Sequence, residues 1–139
     1  MTAELMDYFN RQPRIGTLST SSKEGEVDVA VMGSPRMVDE ETVIMALAKN
    51  RTFANLQENP RAVYMILEPG EEILDWKGIR VYLRMVRYET SGELIDEIKE
   101  QGTKFIGEAA AEMLHAAITL KVEEVRPLVD LGQGWERSI

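Results

Sequence analysis

Near the start of the chain, Leu5, Met6 and Phe9 fall on one face of a short helix, with Thr2 placed to cap it and Pro13 forcing an exit. Residues 14–20 are rich in Ile, Thr and Leu and read as a strand. The following Ser21, Ser22, Lys23, Glu24 and Gly25 carry the turn chemistry of a β-hairpin. In the returning strand Val27, Val29 and Val31 alternate with Asp28, Ala30 and Met32, the period of a strand with one buried face. Gly33 and Pro35 interrupt it, which marks a bulge, an edge or the close approach of another group, such as a ligand, to the backbone. Asp39, Glu40 and Glu41 lead into the apolar run 42–48, and residues 51–59 read as a short helix stopped by Pro60. A strand over 62–67, an acidic loop over 68–77 and the longest strand, 78–90, follow. Two helices over 93–101 and 107–114, a strand over 116–125 and a tail from Pro127 complete the pattern. Six strands joined largely by short turns favour an antiparallel barrel with peripheral helices, an α+β arrangement, over a parallel α/β sheet. No repeat or linker divides the chain, so residues 1–139 are expected to form one domain.

Composition narrows the functions such a barrel can have. The net charge of −8 and the absence of a dense Lys/Arg run disfavour nucleic acid as a partner. Acidity does not disfavour a small anionic ligand, because a local pocket rather than the mean field holds a phosphate. With no Cys, the chain has no disulfide framework, thiolate nucleophile or soft-ligand metal site. Glu71, Glu72 and Asp75 have loop spacing and no His beside them, so they read as a solvated face and no metal is expected. His115, the single His, lies at a helix-to-strand junction and is assigned no catalytic role. The eight Met residues are scattered as core filling. The first ten residues carry Glu4 and Asp7 and lack the features of a signal peptide, and no apolar run reaches the ~20 residues a bilayer span requires. A cytoplasmic protein without membrane contact is the expectation.

The strongest chemical feature is the run Ala48, Lys49, Asn50, Arg51, Thr52, Phe53, Ala54, Asn55, which joins a strand end to a helix start. Two cations, a hydroxyl and free helix amides converge there, and charge, hydrogen bonding and the helix dipole all favour an anion. A plain N-cap with exposed flanking charges accounts for the same residues.

The hairpin strands, Val27 to Gly33, Met45 to Thr52, and the sequence Asn55-Leu56 followed by Asn59-Pro60-Arg61-Ala62-Val63 together resemble the pyridoxamine 5'-phosphate oxidase-like FMN-binding split-barrel family. The likeness runs from Arg14 to about Leu128. It implies a split barrel, usually a homodimer with one FMN in each of two grooves built by both subunits. It further implies that Asn50, Arg51 and Thr52, beside Lys49, hold the FMN phosphate. Val29, Ala30, Val31 and Met32, with Met45, Ala46, Leu47 and Ala48, would line the isoalloxazine ring. An apolar slot, backbone donors and acceptors and a cationic end are what a flavin requires. Many members of the family carry a Gly within the long strand, at a place that here lies near Leu83. The chain lacks the basic, His- and Arg-containing substrate motif near the C-terminus, since Gly132-Gln133-Gly134-Trp135-Glu136-Arg137 has another composition. The resemblance therefore implies an FMN-dependent oxidoreductase or electron-transfer protein whose substrate is not pyridoxamine phosphate. A non-enzymatic module for flavin or haem, or a deazaflavin protein, uses the same groove. Trp76 and Trp135 are open between covering the flavin and pinning the chain.

Overall fold

The computed structural model describes residues 2–139, with side chains from residue 4 onward. Seven strands form one antiparallel sheet: β1 (Ile15–Ser21), β2 (Val27–Val31), β3 (Arg36–Asp39), β4 (Thr42–Ala48), β5 (Arg61–Glu68), β6 (Lys77–Glu89) and β7 (Leu114–Pro127). Their order is β2-β1-β5-β6-β7-β4-β3, so β2 and β3 end the sheet without closing it on each other. The period-2 pattern puts Leu18, Tyr64, Ile66, Val81, Leu83, Ile118, Leu120, Val43, Met45 and Leu47 on one inner face, where they form a continuous buried cluster. Helix α1 (Thr2–Asn10) adds Leu5, Tyr8 and Phe9 to that cluster. It is a packing helix, and the Thr2 cap lies outside the described side chains.

Helix α2 (Arg51–Glu58) lies against β1, β2 and β4 and closes one end of the barrel with Phe53 and Leu56. Asn55, buried at the same end, donates from Nδ2 to Thr20 Oγ1 at 3.1 Å, which satisfies a polar group that burial would otherwise penalise. Helices α3 (Glu93–Ile106) and α4 (Glu108–Glu112) cover the outer face of β7, and α3 also packs on β4, burying Ile95 and Ala111. This double cover explains why the run 42–48 is apolar at nearly every position.

The structure departs from the expectations in five places. There are seven strands rather than six, because residues 36–39 after Pro35 pair with β4 and are pinned by Asn10, which exchanges two 2.8 Å hydrogen bonds with the Met37 main chain. Helix α3 runs five residues further than its apolar period, past Gly102. The last strand opens at Leu114, where it pairs with Ala48. The loop between β5 and β6 holds a single 3₁₀ turn, Ile73–Asp75. The tail also folds: its 3₁₀ turn Trp135–Ser138 carries Trp135 into the core cluster at 9% exposure, so this Trp pins the C-terminus.

Candidate functional site

Helix α2 starts against the electrostatic preference of a helix. An N-terminus carries partial positive charge and favours Asp or Glu in its first turn. Here that turn holds no acidic residue, and Lys49 and Arg51 flank the cap. Both side chains are exposed, and neither forms an ion pair among the described residues. Asn50 is the N-cap: its Oδ1 accepts from the Phe53 amide at 3.0 Å and its carbonyl from the Ala54 amide at 3.0 Å. The amides of Arg51 and Thr52 are left at the helix tip. Thr52 is only 2% exposed, so among these four residues it is the one turned inward.

The residues named for the ring separate into two kinds. On β4, Met45 and Leu47 belong to the core and Ala46 is buried, so these three side chains are packing groups. What β4 offers is main chain. Its pairing with β3 reaches only as far as Ile44, opposite Arg36, so from Ala46 onward the edge facing away from β7 lacks a strand partner among the described residues. Ser34, just past β2, donates from its hydroxyl to the Ala46 carbonyl at 3.3 Å. On β2 the alternation is as expected but the valine row is not the buried one. Val27 (84% exposed), Val29 (62%) and Val31 (84%) face solvent, while Ala30 is half-buried and Met32 packs partly against the core. Helix α2 contacts both β2 and β4, which makes the edge strand and the β4 strand its neighbours.

A concavity of about 600 Å³ lies on the outer face of β1, β2, β5 and β6, with Ser19, Val29, Val63, Tyr82, Arg61 and Glu123 among its walls. Lys49, Asn50, Arg51 and Thr52 take no part in it. Within it Arg61 reaches Glu123 at 3.3 Å, and Arg84 reaches the same carboxylate at 3.3 Å. His115 sits one residue beyond the Leu114–Ala48 pair and packs edge-on against Phe53, ring centres 5.4 Å apart, with Tyr88 on the same ring at 5.1 Å. Three residues that the sequence pattern did not single out converge on the segment after β2. Tyr64 Oη donates to the Met32 carbonyl at 2.7 Å, and the Arg14 guanidinium donates to the carbonyls of Phe9, Gly33 and Pro35. Ser34, already described, completes the set. Burial holds the Arg14 pKa below its ordinary value, opposed by neighbouring Tyr64, and burial raises that of Tyr64. No local motif marks such groups, because their partners are main-chain atoms of another segment.

A family model for pyridoxamine 5'-phosphate oxidase matches residues 1–129 of the chain. Among solved structures, an FMN-binding protein from Syntrophomonas wolfei shares 27% identity at a TM-score of 0.77, over 94% of this chain and 86% of that one. HupZ of Group A Streptococcus matches at 19% identity and TM-score 0.73 over 92% and 94% of the two chains. HutZ, described as the heme storage protein of Vibrio cholerae, matches at 18% and 0.63 over 94% and 97%. No curated protein matches the sequence. Among the described residues, no helix is long and apolar enough to cross a membrane.

Proposed function

The chain belongs to the pyridoxamine 5'-phosphate oxidase family, and from that premise we propose that it is an FMN-binding redox protein that docks the cofactor phosphate on the tip of α2. The observation that carries this reading is a pair of cations on a helix N-terminus, neither of them in an ion pair among the described residues. Lys49 and Arg51 oppose the helix dipole in the free protein, and only an anion seated between them and the Arg51 and Thr52 amides turns that arrangement favourable. The S. wolfei relative, described as FMN-binding, points to the same ligand. The residues present fit it: cations and amides for the phosphate, and a main-chain edge at Ala46 and Ala48 for the hydrogen-bonding rim of the ring.

FMN supplies hydride or single-electron transfer when bound, so the protein needs to bind, orient and shield rather than provide a general base. Lys49, Asn50 and Arg51 bind the phosphate end. The β4 edge orients the ring, and Val29 and Val31, covered by a second copy of the chain, exclude water from it. The exposed valine row supports a homodimer, together with Ile15 at 51% exposure. So does the exposed area of 8267 Å², against about 7300 Å² for a compact monomer of this mass. The tail, with Trp135 in the core, does not offer the basic substrate motif of a pyridoxamine phosphate oxidase, so the electron partner is a different molecule. Parallel titrations with FMN and riboflavin test this reading. FMN is expected to bind at least about tenfold more tightly, the scale of one charge-assisted contact. Equal affinities would remove the phosphate site, and uptake of haem in preference to either flavin would replace the reading.

A further inference from the structure

Between the end of β2 and the start of β3 the chain crosses the barrel opening in the four residues Met32, Gly33, Ser34 and Pro35. Such a crossing would ordinarily be a free loop. Here three of its four carbonyls are held from beneath: Met32 by Tyr64 Oη at 2.7 Å, Gly33 by Arg14 Nη2 at 3.0 Å, and Pro35 by the same nitrogen. The fourth residue, Ser34, reaches across to the Ala46 carbonyl on the open β4 edge.

Arg14 is itself fixed in place. Its guanidinium lies over the rings of Phe9 and Tyr64, 5.3 and 5.2 Å from their centres, and its Nη1 donates to the Phe9 carbonyl at the end of α1. Its Nε is buried without a partner among the described residues. Leaving that donor unsatisfied is unfavourable, so the group is held there by the carbonyls and rings around it. Gly16 makes the assembly sterically feasible, because a Cβ at that position would sit 2.0 Å from Tyr64 Oη.

We propose that Arg14 is a positioning residue for the ring end of the cofactor site: by gripping the β2–β3 crossing it holds Ser34 on the Ala46 carbonyl and sets the width of the opening between β2 and β4. The inference rests on the flavin reading above for its ligand, but the clamp is a property of the protein alone. A lysine cannot replace it. The planar guanidinium serves three carbonyls and two ring faces at once, whereas an ammonium is a compact point charge on a flexible stem.

Two measurements on Arg14→Lys test the proposal. In the ligand-free protein, amide hydrogen exchange is expected to accelerate at Met32, whose amide bonds Gly16 at 3.0 Å, and at Arg36, opposite Ile44, while Leu18 and Ile66 keep wild-type protection. In flavin titrations, affinity for FMN and for riboflavin is expected to fall by the same factor, roughly three- to tenfold, since the loss is at the ring. Ser34→Ala, at an exposed position, is expected to reproduce that fall and to add nothing in the Arg14→Lys background.

Unchanged exchange at Met32 and Arg36 would overturn the clamp. Additive losses for the two substitutions, or a loss confined to FMN, would overturn its action through Ser34. If Arg14→Lys fails to fold, Ser34→Ala alone decides: unchanged riboflavin affinity refutes the proposal. Should the wild-type protein bind no flavin, the cofactor reading fails, while the exchange experiment still judges the clamp.

Discussion

Replacing Arg51 by Ala has opposite consequences for the free and the loaded protein. Arg51 is exposed, forms no ion pair among the described residues and opens a helix whose first turn lacks an acidic residue. In the free protein its charge faces the positive end of the helix dipole, a repulsion on the scale of about 0.3–1 kcal/mol at low salt. The substitution should leave thermal stability unchanged or raise it slightly. With FMN, a guanidinium about 4 Å from a phosphate charge is worth between about 1 and 4 kcal/mol across the range from bulk-water to near-surface screening. Measured charge-assisted hydrogen bonds narrow this to about 1.5–3 kcal/mol. The FMN dissociation constant should therefore rise by roughly ten- to a hundredfold. The assay is a pair of thermal melts with and without saturating FMN, plus an equilibrium titration at low and moderate salt. The variant should show a loss of ligand-induced stabilisation, a weaker salt dependence of binding and unaltered riboflavin affinity. Wild-type FMN affinity in Arg51→Ala, or an unliganded protein clearly less stable than wild type, would refute the reasoning.

Other outcomes follow from single contacts. Val29→Asp places a charge on an outward row and should leave a monomer's stability within about 0.5 kcal/mol while abolishing a dimer in sedimentation; a variant that still dimerises would locate the interface elsewhere. Gly16→Ala should displace Tyr64 and lower stability by about 1–3 kcal/mol in denaturant unfolding, and a neutral result would contradict the close packing beneath β2. The Asp130 carboxyl is held below its usual pKa by the Gly132 amide and Arg126, with Arg80 also at 2.8 Å. A depressed folded pKa means that its contribution is complete above the unfolded value and is lost as pH falls through the folded one. Trp135 fluorescence should therefore report release of the tail only on acidification below about 4, and Asp130→Asn should remove that dependence.

The elements with a strong period were the most legible from sequence. The apolar run of β4 reads as a strand and α2 as a short helix stopped by Pro60, while the two-sided burial of β4 and the Asn50 cap are apparent only in the structure. Strand β3 was not legible, because four residues after a proline carry too little pattern and the pairing comes from β4 and Asn10, remote in sequence. On β2 the period was right, yet periodicity names two faces without saying which one meets the core, and the valines are on the other. The proposed phosphate end rests on Lys49, Asn50 and Arg51, which the sequence already places beside a helix start. At the proposed ring end the side chains of Met45 and Leu47 lie in the core, and sequence adjacency does not separate a side chain in a core from main chain at an edge. Arg14 and Tyr64 gave no sign, since both act on carbonyls 19 and 32 residues away.

The most direct test of the account is the visible absorption spectrum of the purified protein, recorded before and after incubation with excess FMN and removal of free ligand. Flavin bands are expected to survive desalting in the wild-type protein and to be depleted in Arg51→Ala. A colourless wild-type protein after loading, or a spectrum that takes on haem bands in a competition with FMN, would contradict it.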